Sequence, residues 1–307
     1  MSFMSLEPGN TPLVRLDRLP GRPGVTLWAK LEGHNPSGSA KDRTAHAILA
    51  AADLRPGAVI VESSSGNLGV ALAREAVLGG WTFHCVVDPK ANRSTIATMR
   101  AFGAVVHEVT APDPATGDWL AARRARVAEL LTEIPGAVCL DQYSNRAAFT
   151  AHDEGTMAEI VAQLGHTPAH LFVAVSTTGT IGGCLRRIAR EGWDTEVTAV
   201  DAEGSVLFDG ARGRRHLPGF GAGIVPDLAA EVTPDRIVRV GDRDSVAAAR
   251  QLARTEGVLC GASGGAVVAA VGKLLPELHG DVVLVLHDGG THYLDTVYND
   301  DWVEENL

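Results

Sequence analysis

Positive charge is in short supply in this 307-residue chain: 27 lysines and arginines face 37 aspartates and glutamates, for a formal net charge of −10. A surface of that sign repels phosphate backbones and anionic headgroups, so neither nucleic acid nor a membrane is expected as a partner. Cysteine is also scarce. Cys85, Cys139, Cys184 and Cys260 are widely separated and set among apolar neighbours, which gives neither zinc spacing nor a disulfide framework. They read as small core residues in a reducing compartment. No apolar run approaches the length of a membrane span, and no basic segment followed by an apolar core opens the chain, so a cytoplasmic protein is expected. Internal repeats and low-complexity tracts are missing too. A Walker loop is absent, as is a glycine fingerprint with a ribose-binding acid beyond it, which removes a nicotinamide-dependent oxidoreductase as the leading reading. His287 and His292 flank Asp288 but have no further ligands at metal spacing, so they read as exposed loop histidines and no metal is expected.

What is present is apolar and regularly spaced. Hydrophobic residues make up 45% and charged residues 21% of the chain, the balance of a soluble globular enzyme with room for a large core and a buried cleft. Runs rich in Val and Leu at 25–31, 59–62, 83–87, 104–109, 171–175, 197–200, 258–260 and 282–286 predict strands. Their continuous rather than alternating apolarity implies burial on both faces, hence a parallel sheet covered by helices. Helical patterns follow at 67–77, 94–102, 118–132, 148–164, 181–190 and 244–255, several stopped by a glycine such as Gly103, Gly165 or Gly257. The fold class is α/β. The longest irregular piece runs from 212 to 226, and long loops in compact domains are often functional.

Open parallel sheets bind ligands beyond the carboxyl ends of their strands, so the strand-to-helix loops are the places to search for a site. Four stand out. Lys41 closes Asn35-Pro36-Ser37-Gly38-Ser39-Ala40-Lys41 at the start of an Ala-rich helical run, where an amine is held rigidly enough to attach an aldehyde cofactor. Its bland alternative is a solvated first-turn lysine. Ser63-Ser64-Ser65-Gly66-Asn67 follows a strand and opens a helix, a site for a carboxylate where ordinary capping needs only one such residue. Ser176-Thr177-Thr178-Gly179-Thr180 forms a neutral nest suited to a phosphate, although such loops also serve as plain turns. Gly261-Ala262-Ser263-Gly264-Gly265 offers one hydroxyl among glycines that also suit close helix packing. An amine, a carboxylate pocket, a phosphate nest and a neutral hydroxyl are the contacts needed by pyridoxal 5'-phosphate carrying an amino acid.

These four motifs, in this order, resemble those of the cysteine synthase and cystathionine β-synthase family, the fold-type II pyridoxal-phosphate enzymes, over almost the whole chain. A closer likeness, carried by Val86-Val87-Asp88-Pro89-Lys90, Asp141-Gln142-Tyr143, Ser176 to Thr180, Asp201 to Val206, Leu217-Pro218-Gly219-Phe220-Gly221 and Tyr293-Leu294-Asp295, is to the N-(2-amino-2-carboxyethyl)-L-glutamate synthases. The resemblance implies two open twisted α/β domains with mostly parallel sheets. Residues 1–34 with 143–307 would form the large cofactor-binding domain, and 35–142 the smaller, mobile substrate-binding one. A homodimer is implied as well.

The same likeness implies residue roles. Lys41 would be the Schiff-base lysine and the base at Cα. Asn67 would bond the phenolic oxygen of the cofactor, Ser176, Thr177, Thr178, Gly179 and Thr180 its phosphate, and Ser263 its ring nitrogen, where a neutral serine favours β-elimination. Ser64, Ser65 and Gln142 would bind the substrate carboxylate, with Gly221 also in the substrate site. Leu68 replaces the threonine of cysteine synthases, and Ser176 replaces the first glycine of their phosphate loop. Both departures are shared with the glutamate-using group. That group takes the amine of L-glutamate as nucleophile and O-phospho-L-serine as electrophile, on the way to 2,3-diaminopropionate for siderophores and peptide antibiotics. A phosphate leaving group needs extra cationic or hydroxyl contacts, for which Arg123 and Tyr143 are the candidates; a solvated helix-face arginine is the plain alternative for Arg123. The competing expectations are an O-acetylserine or O-phosphoserine sulfhydrylase and, less strongly, a non-catalytic binding subunit.

Overall fold

Residues 7–307 are described here from a computed structural model. Two sheets divide the strands among these residues. Six strands, β1 (Leu13–Leu16), β2 (Val25–Leu31), β6 (His170–Ala174), β7 (Glu196–Ala202), β8 (Arg236–Val240) and β9 (Gly280–Leu286), lie in the order β1-β2-β9-β6-β7-β8. The remaining three, β3 (Val59–Ser63), β4 (Thr82–Val87) and β5 (Val105–Glu108), pair in sequence order. Only the β1–β2 pair is antiparallel. The small sheet thus falls, in sequence, between two segments that build the large one.

Helices cover both sheets, as the continuous apolarity of the strands requires: every residue of β6 is buried. They are α1 (Lys41–Ala51), α2 (Asn67–Gly79), α3 (Arg93–Ala101), α4 (Trp119–Glu133), α5 (Ala147–Thr150), α6 (Ala158–Leu164), α7 (Gly179–Glu191), α8 (Asp242–Glu256), α9 (Ala262–Leu274) and α10 (Asp300–Asn306). Left-handed glycines cap several of them, with Gly165 at φ +83° and Gly257 at φ +69° in the expected places. No helix among the described residues is long and apolar enough to cross a membrane.

Three sequence expectations are corrected. The single helix expected over 148–164 is α5, a π-helical stretch Ala151–Met157, and α6. The widened turn lies where Gly155 passes Arg43, whose Nη1 sits 2.9 Å from the point a Cβ would occupy. Residues 258–260 are not a strand; Cys260 makes one isolated bridge to Gly289. Cys139 is exposed rather than core, whereas Cys85, Cys184 and Cys260 are buried.

One ionic cluster fixes how the first helix leaves the large sheet. The Arg43 guanidinium donates to Glu32 at 2.7 Å and to Glu159 at 2.6 Å, and the wholly buried Lys30 amine donates to Glu159 at 2.7 Å. Thr11 and Asn35 supply further hydrogen bonds to Glu32. Arg43 is two residues past Lys41, so this cluster holds the turn on which that lysine stands.

Candidate active site

The carboxyl ends of β2, β3, β6 and β9 all feed loops that open on one cavity of about 390 Å³. All fourteen residues singled out from the sequence line it: Lys41, Ser64, Ser65, Asn67, Arg123, Gln142, Tyr143, Ser176, Thr177, Thr178, Gly179, Thr180, Gly221 and Ser263. They come from segments up to 222 positions apart (41 to 263): Lys41, the serine loop, the 176–180 loop and Ser263 come from the segments that follow strands or open helices, whereas Arg123 comes from within α4, Gln142 and Tyr143 from the segment before α5, and Gly221 from the loop between β7 and β8.

Lys41 is the first residue of α1. Its amine makes no hydrogen bond among the described residues, and burial lowers its pKa from the ordinary 10.5 to about 8. About a tenth of the amine is therefore free at pH 7, far more than for an ordinary lysine, without a neighbouring base, and the free amine is the form that attacks a carbonyl or accepts a proton. The solvated alternative does not fit that burial.

The hydroxyl loop at 176–180 runs into the N-terminus of α7, with Thr178 held at φ +65°. The first N–H groups of a helix have no partner within it, and the residues that carry them here, Gly179 to Ile181, line the cavity. Gly183 makes this placement possible, because a Cβ there would collide with the Phe149 carbonyl oxygen and lie 2.7 Å from His152 Cβ. Thr180 Oγ1 bonds His152 Nε2 at 3.2 Å, and Thr178 Oγ1 donates to the Thr177 carbonyl at 2.7 Å.

In the serine loop the Ser64 oxygen accepts the Gly69 N–H at 2.9 Å, which leaves its own hydrogen to donate to an anion. Capping and ligand binding are thus compatible at this residue. Ser65 Oγ donates to Asp88 at 3.3 Å and accepts from Arg123 Nη1 at 3.0 Å. Gln142 is buried, and its amide donates to the Ser63 carbonyl at 3.3 Å. Arg123 is not a solvated helix-face residue: its guanidinium also lies 3.0 Å from Asp88 and its side chain is 13% exposed. Tyr143, nearby on the loop before α5, has its pKa raised by burial. Gly221 donates its N–H to the Val175 carbonyl, tying the 212–226 loop to the end of β6.

Several lining residues were not singled out for this site from the sequence. Asp288, just beyond β9, accepts from Asn67 Nδ2 at 2.8 Å, Tyr293 Oη at 2.7 Å and Ser263 Oγ at 3.4 Å. Burial raises its pKa. It joins the asparagine of one loop to the serine of another across 196 positions (67 to 263), a convergence that local patterns do not carry. His287 corrects the expectation of an exposed loop histidine: both ring nitrogens are cut off from solvent, and neither makes a well-formed hydrogen bond among the described residues, the Val285 backbone alone bearing on the ring as an acceptor. Burial, with the Lys41 charge adding to it, pushes its pKa down to about 3. Arg215 and His216, from the long loop, complete one wall.

The residues present suit pyridoxal phosphate. The half-buried Lys41, its amine unpaired among the described residues, shares one cavity with a helix N-terminus rich in hydroxyls, and Asn67 and Ser263 line the same cavity. The comparison with protein families agrees: residues 4–289 match the pyridoxal-phosphate dependent enzyme family. The chain belongs to that family. It is an enzyme, and its cofactor is pyridoxal phosphate. Within the pyridoxal-phosphate dependent enzymes it is 42% identical over 301 residues to the N-(2-amino-2-carboxyethyl)-L-glutamate synthase of Ralstonia nicotianae (strain ATCC BAA-1114 / GMI1000). It is 42% identical over 305 residues to the enzyme of the same name from Cupriavidus metallidurans (strain ATCC 43123 / DSM 2839 / NBRC 102507 / CH34). Each alignment covers 96% of this chain and 89% of the relative. The O-acetylserine dependent cystathionine beta-synthase of Helicobacter pylori superposes with a TM-score of 0.89 at 26% identity, over 97% of this chain and 100% of that one.

Proposed function

We propose that this enzyme carries out β-replacement on an O-activated L-serine with the amine of L-glutamate, giving N-(2-amino-2-carboxyethyl)-L-glutamate. The observation that carries the reading is the 42% identity, over nearly the full chain, to two synthases of that name. The cavity supports it through its separate polar stations for an amine, a carboxylate and a phosphate.

Bound, the cofactor supplies an aldehyde for the substrate amine and a ring that takes up the electron pair released at Cα. Ser176 to Thr180 and the start of α7 hold its phosphate, while Asn67 and Ser263 hold its ring. Ser64, Ser65 and Gln142 orient the substrate carboxylate. The free Lys41 amine removes the Cα proton, the Oγ substituent leaves, and the unprotonated glutamate amine forms the new bond to Cβ, its surplus N–H proton passing to solvent. Lys41 then returns its proton to Cα. Residues 35–142, which include the small sheet, close over the cavity when the carboxylate binds and keep water from the intermediate. The enzyme works as a cytoplasmic homodimer, and its product leads to 2,3-diaminopropionate for a siderophore or peptide antibiotic.

O-Phospho-L-serine is the electrophile this reading favours, because Arg123 offers a guanidinium at the edge of the carboxylate station. A hydrogen bond to a charged group contributes about 1.5–3 kcal/mol, so Arg123→Gln is expected to raise KM for phosphoserine about 10- to 100-fold and to change KM for acetylserine little. Steady-state kinetics with both esters check this. The reading as a whole is tested by supplying each ester with glutamate or sulfide: glutamate addition should be the faster reaction, and cysteine as the dominant product overturns it.

A further inference from the structure

His287 stands where the chain leaves β9 and passes the start of α1. Its carbonyl oxygen accepts the Ala40 N–H at 2.7 Å, and Ser39 and Asp288 form a β-bridge beside it. Two backbone links thus pin His287 against the residue preceding Lys41. Both side chains line the same cavity. Both ring nitrogens are cut off from solvent; among the described residues the Val285 backbone is the one hydrogen-bond acceptor that bears on the ring, through a bond of poor geometry, and the Lys41 amine has no hydrogen bond of its own. With its N–H turned to the Val285 backbone, the ring keeps one nitrogen with no partner, at a desolvation cost that a donor such as the Lys41 amine would remove.

We propose that His287 is a positioning residue for Lys41, its neutral imidazole accepting a hydrogen bond from the protonated amine that Lys41 carries after taking the Cα proton. The inference rests on the assignment of Lys41 as the base in the proposed reaction. The remaining groups near the ring agree with a neutral imidazole. His152 lies in the same buried region, bonded to Thr44, Thr180 and Thr156, and is itself held neutral by burial first and then by Arg43 and Lys41. Asp288, next in the chain, is committed to Asn67, Tyr293 and Ser263. An imidazole so reluctant to protonate takes a hydrogen bond without taking the proton. The proton therefore stays on Lys41, from which it returns to Cα.

Competitive acetylation of the full chain freed of cofactor, using trace acetic anhydride and mass spectrometry of the Lys41 peptide, measures the pKa of that amine directly. An acceptor stabilises the charged form, so His287→Leu is expected to lower the Lys41 pKa by about one pH unit, whereas His287→Gln, which keeps an acceptor, stays close to wild type. An unchanged or raised pKa in the leucine variant overturns the proposal, as does a glutamine variant that falls as far as the leucine one. Should the leucine variant fail to fold, ¹⁵N NMR of the wild-type imidazole decides: its resonance should move as Lys41 titrates and stay flat over the same range in Lys41→Ala. A wild-type resonance that does not move overturns the proposal. The labelling uses neither cofactor nor substrate, so failure of glutamate to react leaves its outcome untouched, and the reverse holds too.

Discussion

Lys41→Met protein is expected to lose about 10³-fold or more of its β-substitution rate, since a positioned general base alone contributes 10²–10⁴ and the same side chain also attaches the cofactor. It is expected, at the same time, to be the more stable fold without cofactor. Burial lowers the Lys41 pKa from 10.5 to about 8, so below pH 8 the folded protein holds an amine whose charge its surroundings disfavour. That difference corresponds to at most about 3 kcal/mol, and methionine removes it while filling a similar volume. The linkage has a definite sign. Between pH 8 and 10.5 the unfolded chain binds more protons at this residue than the folded one, so wild-type stability rises across that window from this group and the advantage of the variant shrinks. Urea unfolding of both cofactor-free proteins at pH 7 and at pH 10.5 checks it. A wild type that is the more stable at pH 7 contradicts the buried, unpaired amine.

Arg43→Leu should cost more stability than any other single exchange named here. Glu32 is fully buried, and its carboxylate takes two guanidinium hydrogen bonds from Arg43. Removing one partner of a buried ion pair typically costs about 3–5 kcal/mol because the other charge is left uncompensated. Glu159 reports on the same cluster. Burial would raise its pKa, but the hydrogen bonds from Arg43 and Lys30 outweigh that and hold it down to about 2. Its contribution is present above the unfolded value near 4.5 and is lost as pH falls toward 2. Arg43→Leu is therefore expected to show both a lower urea midpoint at pH 7 and a flatter acid limb. The double variant Arg43→Leu, Glu32→Leu should recover part of the loss, since the orphaned charge is gone. The effect reaches function because Arg43 anchors the first turn of α1, where Lys41 stands.

The loops of the site were legible in the sequence because each carries its own chemistry locally. Hydroxyls and glycines placed between a strand and a helix mark an anion site whatever the rest of the chain does. Lys41, Ser65 and Thr178 could be found that way. Asp288 and His287 could not, because what matters about them is contact with Asn67, Ser263 and the Lys41 turn, from 25 to more than 200 positions away, and sequence spacing says nothing about such contacts. Arg123 could be named but not placed, since a helix-face arginine looks the same whether it faces water or Asp88. Among the elements, β1 was missed as a four-residue edge strand and β8 because Arg236-Ile237-Val238-Arg239-Val240 mixes charge into its apolar run. The break in the helix after α5 falls where Gly155 meets Arg43, again a distant contact.

Only four lysines occur in the chain. Lys30 is buried in its pair with Glu159, Lys273 pairs with Asp244 at the surface, and Lys90 stands exposed at the cavity edge. Borohydride reduction of the cofactor-loaded enzyme fixes the cofactor to whichever lysine holds it, and peptide mapping by mass spectrometry then names that residue. The label is expected on Lys41 alone. A label on Lys90, or on no lysine, contradicts the placement of every other residue in the site.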